Sequence, residues 1–225
     1  TSSASSGKSS VGGRVATALG YGFLDTGLLY RAVTHAALNQ GLVEAPISAL
    51  VARAAPQLEK IAQIVDAELV DGGAAIVIDG RGFGAAELES SEVEAMVPLV
   101  AALPEVRDAL RGVQRRIAGR GRAVLAGRDI GTVICPEAEA KLFVTATPEI
   151  RAHRRWLELV KQDPALSEES VLADIRRRDE RDSNRSNAPL KMADDARLLD
   201  TSEMDIEAAS REALRLIETA LSRKG

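Results

Sequence analysis

The chain has 225 residues and a formal net charge of −4, which suits one α/β core with a small insertion and argues against a general nucleic-acid binder, usually basic. Its single Cys135 and two histidines exclude a disulfide framework, a multi-cysteine zinc site and a Ser-His-Asp or Cys-His nucleophile set. No signal-peptide pattern opens the chain and no apolar run is long enough to span a bilayer, so a reducing cytoplasm and no membrane partner are expected.

Apolar positions at Val11, Val15, Ala18 and Leu19 form a helical stripe over residues 9–19, and Gly20 ends it. Tyr21 to Leu24 is a short strand, and Thr26 to Gln40 a second helix with Thr26 as its cap. Ile61 to Val70 and Ala74 to Ile78 flank Asp71-Gly72-Gly73 and predict a hairpin, inside an insertion running from roughly 42 to 92. Glu92 to Leu103 and Glu105 to Ile117 predict two helices split by Pro104. Ala123 to Ala126 and Lys141 to Val144 are short apolar runs of the kind found in buried parallel strands. Thr147-Pro148-Glu149 starts a helix, with an N-cap, a proline in the first turn and an acid behind it; Ser167-Glu168-Glu169 repeats the logic. Ala196 to Leu199 is a last strand, and Ile206, Ala213, Leu214, Ile217 and Leu221 mark the closing helix. Strands alternating with helices predict a parallel sheet with helices on both faces.

Ser5-Ser6-Gly7-Lys8-Ser9 opens the first helix with the small residues that let backbone N–H groups wrap phosphate oxygens. In a GxxxxGK[ST] loop, Lys8 reaches the β- and γ-phosphates and the Ser9 hydroxyl holds Mg²⁺. The first glycine of that pattern falls on Ser2, and no strand precedes it, so roughly ten further residues ending in an apolar run and a Gly are expected before Thr1. A Ser-rich tail running into an ordinary helix is the competing reading of residues 1–10.

Three further segments bear on an anion site. Leu24-Asp25-Thr26-Gly27-Leu28-Leu29-Tyr30-Arg31 places Arg31 about one and a half turns into a helix, or is a capped helix with a surface Arg. Gly127-Arg128-Asp129-Ile130-Gly131-Thr132 follows a strand at its carboxyl end, where open α/β sheets bind ligands, or is a turn with a local ion pair. Arg176 to Arg185, followed by Pro189, is either a solvated helix face or a lid whose arginines close on phosphates. Arg offers phosphate a planar fork where Lys offers a point charge.

With these segments in view, the chain resembles the bacterial cytidylate kinases over nearly its whole length, a family of P-loop nucleoside monophosphate kinases. The match lies in residues 22–31, in Pro104-Glu105-Val106-Arg107, in residues 127–136 and in residues 176–190. The resemblance implies a three-layer α/β/α P-loop fold with a central parallel sheet, a small inserted CMP-binding domain and an Arg-rich lid. It divides the chain into a kinase core at 1–41 and 93–225, a lid at about 176–191, and an inserted nucleoside monophosphate-binding domain at 42–92. The activity it implies is ATP-dependent phosphorylation of CMP and dCMP. By position, Ser5, Ser6, Gly7, Lys8, Ser9 and Ser10 would bind ATP, with Ser9 on Mg²⁺. Arg31, Arg128 and Arg185 would hold the CMP phosphate, with Tyr30 beside them. Thr26, Arg107 and Asp129 would meet the cytosine, and Arg178 and Asp182 the ribose. Lys8, Arg128, Arg181 and Arg185 would neutralise the transferred group, with Arg178, Arg181 and Arg185 in the lid. The partners expected are ATP and CMP or dCMP, with a monomeric chain. The chain departs from the family pattern at Ser2, at Pro98, where a small hydroxyl residue is expected near the base, and at Glu89, where an Arg is usual. The rival readings are a small P-loop kinase for AMP, shikimate or dephospho-CoA, and a nucleotide-binding module without catalysis.

His35 and His153 lack partners at metal-ligand spacing and read as core or surface histidines; Trp156 and Cys135 read as core.

Overall fold

The computed structural model describes residues 7–43, 53–161, 163–183 and 191–222, without the side chains of 85, 86, 178 and 181–183. The chain divides into two compact units, Leu19–Leu125 and the pair of segments Thr1–Ala18 and Ala126–Gly225.

The central unit runs β1 (Gly22–Asp25), α2 (Gly27–Asn39), α3 (Ala55–Ile64), β2 (Val65–Val70), β3 (Gly73–Ile78), β4 (Arg81–Phe83), a 3₁₀ turn (Ala85–Leu88), α4 (Ser91–Val100), α5 (Pro104–Gly119) and β5 (Ala123–Ala126). β1 and β5 pair, and β2, β3 and β4 form an antiparallel sheet with Val70 opposite Gly73 and Ile78 opposite Arg81. The predicted hairpin is present, but its first strand begins at Val65, not Ile61. Pro56 sits in the first turn of α3, and Leu58, Ile61 and Ala62 recur at helical spacing and are buried, so residues up to Ile64 stay helical. The third strand follows Asp79-Gly80, whose positive φ angles of 49° and 77° make a two-residue turn that suits the strands' twist. Gly22 in β1 lies against Leu69 of β2: a Cβ there would come within 2.7 Å of the Leu69 Cβ, so only glycine allows the approach. The core of this unit gathers Leu24, Leu29, Leu58, Ile76, Met96, Leu110 and Ile117 from both sheets and all four helices. α4 has Ser90 as its N-cap, accepting from the Val93 amide at 3.3 Å, and carries Pro98 inside it. Pro98 supplies no N–H to the Glu94 carbonyl one turn back.

The other unit contains α1 (Lys8–Leu19), a π turn (Ile130–Ile134), β6 (Leu142–Thr145), α6 (Pro148–Leu159), α7 (Glu168–Ser183), β7 (Arg197–Asp200) and α8 (Ile206–Leu221). β6 and β7 are parallel, Phe143 opposite Leu198 and Val144 opposite Leu199, as two strands joined by a long helical crossover must be to share a direction. Thr147 caps α6, accepting from the Ile150 amide at 3.4 Å, and Ser167 accepts from the Ser170 amide at 3.2 Å ahead of α7. α6 and α7 pack through Ala152, Val171 and Ile175, with Trp156 against them and its indole N–H on the Leu166 carbonyl at 2.9 Å. Trp156 is thus a packed side chain with its polar atom satisfied. Among the described residues no helix is long and apolar enough to cross a membrane.

Candidate active site

The predicted site residues are shared between the two units. In the unit that holds α1, Gly7 has φ +70°, a left-handed conformation that L side chains rarely adopt. Its carbonyl accepts the first helical bond, from the Val11 amide at 2.8 Å, so Lys8 and Ser9 stand in the first turn of α1. The first-turn N–H groups of a helix have no intrahelical acceptor, and the helix dipole adds partial positive charge there. The Lys8 ammonium donates to the Gly127 carbonyl at 3.2 Å, across 119 residues of sequence. Lys8 and Ser9 are half-buried, and Ser10 is exposed. Ser5 and Ser6 lie outside the described residues.

Gly127 leads into Arg128, half-buried, and Asp129, buried. The Asp129 carbonyl accepts from the Val133 amide at 2.8 Å and the Ile134 amide at 3.2 Å, and the Cys135 amide reaches the Ile130 carbonyl at 2.7 Å. These bonds wind residues 130–134 into a single π turn, a local irregularity that often marks functional sites. Lys141, whose side chain is only 7% exposed, bonds both Asp195 carboxylate oxygens at 2.8 Å and also the Pro136 carbonyl. A buried ammonium needs such partners, and these fasten the segment after the π turn to the segment before β7.

One residue beside Gly7 escaped the sequence reading. Arg154 of α6 donates to the Thr201 hydroxyl at 3.2 Å, the Thr201 carbonyl at 2.7 Å and the Met204 carbonyl at 3.1 Å. A Cβ on Gly7 would lie 3.9 Å from its guanidinium. In sequence it is one of three arginines on α6, and nothing local separates it from Arg151 and Arg155. The Ser202 hydroxyl, then the Ser202 amide, hold the Asp200 carboxyl below its ordinary pKa and order the turn that carries Thr201.

In the central unit, Thr26, Tyr30 and Arg31 are buried at the start of α2. Thr26 is not a side-chain cap, contrary to the sequence expectation: its backbone is already helical and its carbonyl accepts from the Leu29 amide at 3.2 Å; the preceding Asp25 carboxylate accepts from the Gly27 amide at 2.9 Å. Arg31 donates to the Leu88 carbonyl and to the Glu94 carboxylate, each at 3.2 Å. A guanidinium has five N–H groups; the other three of Arg31 have no partner among the described residues, although its side chain is only 10% exposed. Arg107 donates to the Ala101 carbonyl at 3.3 Å and lies over the Tyr30 ring, 5.6 Å from its centroid. Arg31 and Arg107 are therefore tied to opposite ends of α4. Pro98 stands within that helix, and Glu89, exposed, just before it.

The backbone of Arg178, Arg181 and Asp182 belongs to α7, but their side chains lie outside the described set, as do all of Arg185 and Pro189. Nearby, Asp179 takes a bidentate bond from Arg151 of α6, Arg176 donates to Glu149 at 2.7 Å, and Arg177 pairs with Asp174 on its own helix. The backbone amide of Glu149 itself, then Arg176, hold the Glu149 carboxyl below its ordinary pKa. Among the described residues no three His, Cys, Asp or Glu side chains cluster as a metal cage.

The family model described as Cytidylate kinase matches residues 2–219. A protein named Cytidylate kinase from Azorhizobium caulinodans is 48% identical over 218 residues, covering 96% of this chain and 95% of that protein. The Cytidylate kinase of Rhodopseudomonas palustris is 45% identical over 216 residues, 96% of this chain and 92% of its own. That of Brucella ovis is 43% identical over 220 residues, 97% and 91%.

Proposed function

The chain belongs to the cytidylate kinase family, and from that premise we propose that it transfers the γ-phosphoryl group of ATP to CMP and to dCMP, releasing ADP and the cytidine diphosphate. The observation that carries the reading is the start of α1, where left-handed Gly7 turns first-turn amides, Lys8 and Ser9 to one helix N-terminus. Amides in that arrangement favour phosphate, and a lysine there meets charge that grows on the β- and γ-oxygens during transfer.

Ser9 fits Mg²⁺. The ion needs few protein ligands when it arrives on nucleotide phosphates and keeps several waters, so one hydroxyl is an adequate protein share. When bound, with Ser9 as its protein ligand, Mg²⁺ would supply positive charge against the negative charge that develops during transfer. The protein's own part is positioning and charge: an in-line displacement of this kind needs no covalent intermediate and no strong base. Lys8 and Arg128 would neutralise the transferred group, joined by Arg181 and Arg185 from a lid at about 176–191. Ser5, Ser6, Gly7, Ser9 and Ser10 would complete the ATP loop.

For the acceptor, the partly unpaired guanidinium of Arg31 supports a role on the CMP phosphate, with Arg128 and Arg185. Arg107, placed over the Tyr30 ring, would meet the cytosine edge, with Thr26 and Asp129 completing base recognition. Arg178 and Asp182 would meet the ribose. The antiparallel β2–β4 sheet falls inside 42–92 and supports an inserted monophosphate-binding part there, with 1–41 and 93–225 as a three-layer α/β/α core. The chain would act as a monomer.

A coupled ADP-release assay over CMP, dCMP, UMP, AMP and GMP tests the reading. CMP and dCMP should exceed AMP and GMP by at least ~100-fold in kcat/KM, because a wrong base leaves buried donors unpaired at ~3 kcal/mol. Faster turnover of AMP than of CMP rejects it.

A further inference from the structure

Arg31 carries more than a stray surface charge needs. Its guanidinium is nine-tenths buried, two of its N–H groups are engaged, and three have no partner among the described residues. Left alone, such a group would bind whichever small anion reached it, because desolvated N–H donors strengthen any charge-assisted bond. One anion is built in. Glu94, in the first turn of α4, reaches across 63 residues of sequence to Nη2 of Arg31 at 3.2 Å. Its side chain is 34% exposed, so the carboxylate stands at the boundary between solvent and the buried guanidinium. The Leu88 carbonyl meanwhile accepts from Nη1, a contact independent of the carboxylate. What Glu94 adds beside that neutral acceptor is negative charge.

We propose that Glu94 is a specificity-determining residue: its carboxylate partly neutralises Arg31, so that free phosphate gains too little there to bind, while a nucleoside monophosphate, held also through base and ribose, still does. The proposal rests on the reading of Arg31 as an acceptor-phosphate ligand. Specificity of this kind is a difference of affinities obtained by repelling the wrong ligand. Because the carboxylate opposes the phosphate equally in ground and transition states, its effect falls on KM and leaves kcat in place.

Inorganic phosphate as a competitor of CMP is the direct probe. In the unmodified enzyme its inhibition constant should lie far above the KM for CMP; a value at or below KM overturns the proposal without any variant. Glu94→Gln keeps the shape and removes the charge. It should lower the KM for CMP roughly threefold to tenfold, the scale of one charge lost near a protein surface, and lower the phosphate inhibition constant at least as much. Glu94→Asp, which keeps the charge, should stay close to the unmodified enzyme. Glu92→Gln removes an exposed acid from the same helical turn and should change neither constant, which separates the Arg31 contact from the helix dipole. Unchanged constants in folded Glu94→Gln, a raised KM, or a phosphate effect equal in Glu94→Asp would each overturn the proposal. Arg31→Met distinguishes the two levels: if its KM for CMP equals that of the unmodified enzyme, the reading of Arg31 fails, whatever Glu94 does.

Discussion

The Lys8 ammonium donates to the Gly127 carbonyl at 3.2 Å, so a charged hydrogen bond joins the helix start to the residue before Arg128. A carbonyl is a neutral acceptor, and an ionised phosphate oxygen is a stronger one. Nucleotide arrival would therefore draw Lys8 off Gly127 at small cost.

Lys8→Ala should lower kcat by ~100-fold or more while CMP affinity changes little, since the lost interaction strengthens in the transition state. Steady-state kinetics with a separate CMP-binding measurement checks both halves. A near-normal kcat would mean that the start of α1 is not a working phosphate loop.

Arg154 offers a test of structure rather than chemistry. Three of its N–H bonds end on Thr201 and Met204, and Thr201 is buried. Arg154→Leu would keep much of the stem's packing and leave the Met204 carbonyl and the Thr201 hydroxyl short of a donor, while the Thr201 carbonyl keeps the Met204 amide at 3.2 Å. The expected loss is about 1–3 kcal/mol in denaturant unfolding, the range for a buried polar group left unpaired. Arg154→Lys should recover only part, because one ammonium cannot reproduce a planar fork. Full stability in Arg154→Leu would show that these bonds are replaced by water.

The helices and most strands were legible because each states its period and its ends locally. Thr147-Pro148-Glu149 and the Gly20 stop are complete signals within a few residues. The errors were also local. Ile61 to Ile64 looked like the start of an apolar strand, but Pro56 had already begun a helix whose buried face they complete. Asp79-Gly80 is a strong turn signal that, read on its own, predicts β4. Thr26 has the chemistry of a cap, yet its backbone is already helical and the Leu29 amide bonds its carbonyl instead of its hydroxyl. Of the candidate site, the residues can be named from the sequence and their bonding partners cannot. Arg31 meets Glu94 across 63 positions and Lys8 meets Gly127 across 119, and no sequence period encodes contacts at that range.

The segment from Arg176 to Arg185 separates two physical roles that look alike in sequence. Arg177 is exposed and pairs with Asp174 three residues back on its own helix, a bond that contributes little because both groups are well solvated. Arg176 reaches Glu149 and Asp179 is taken by Arg151, so these members of the run serve the α6–α7 contact. The lid role proposed for Arg185 makes a different demand. A guanidinium that closes on phosphate does so as water leaves, and its bond then counts in the transition state. Arg185→Ala should therefore cost ~2–4 kcal/mol in kcat/KM, the scale of a charge-assisted contact removed from a closed site. Arg177→Ala should cost less than ~0.5 kcal/mol, as for an exposed helical pair. Both variants need only steady-state kinetics with CMP and ATP. Equal and small effects would reduce the whole segment to a solvated helix face, and equal and large ones would place Arg177 on the ligand as well.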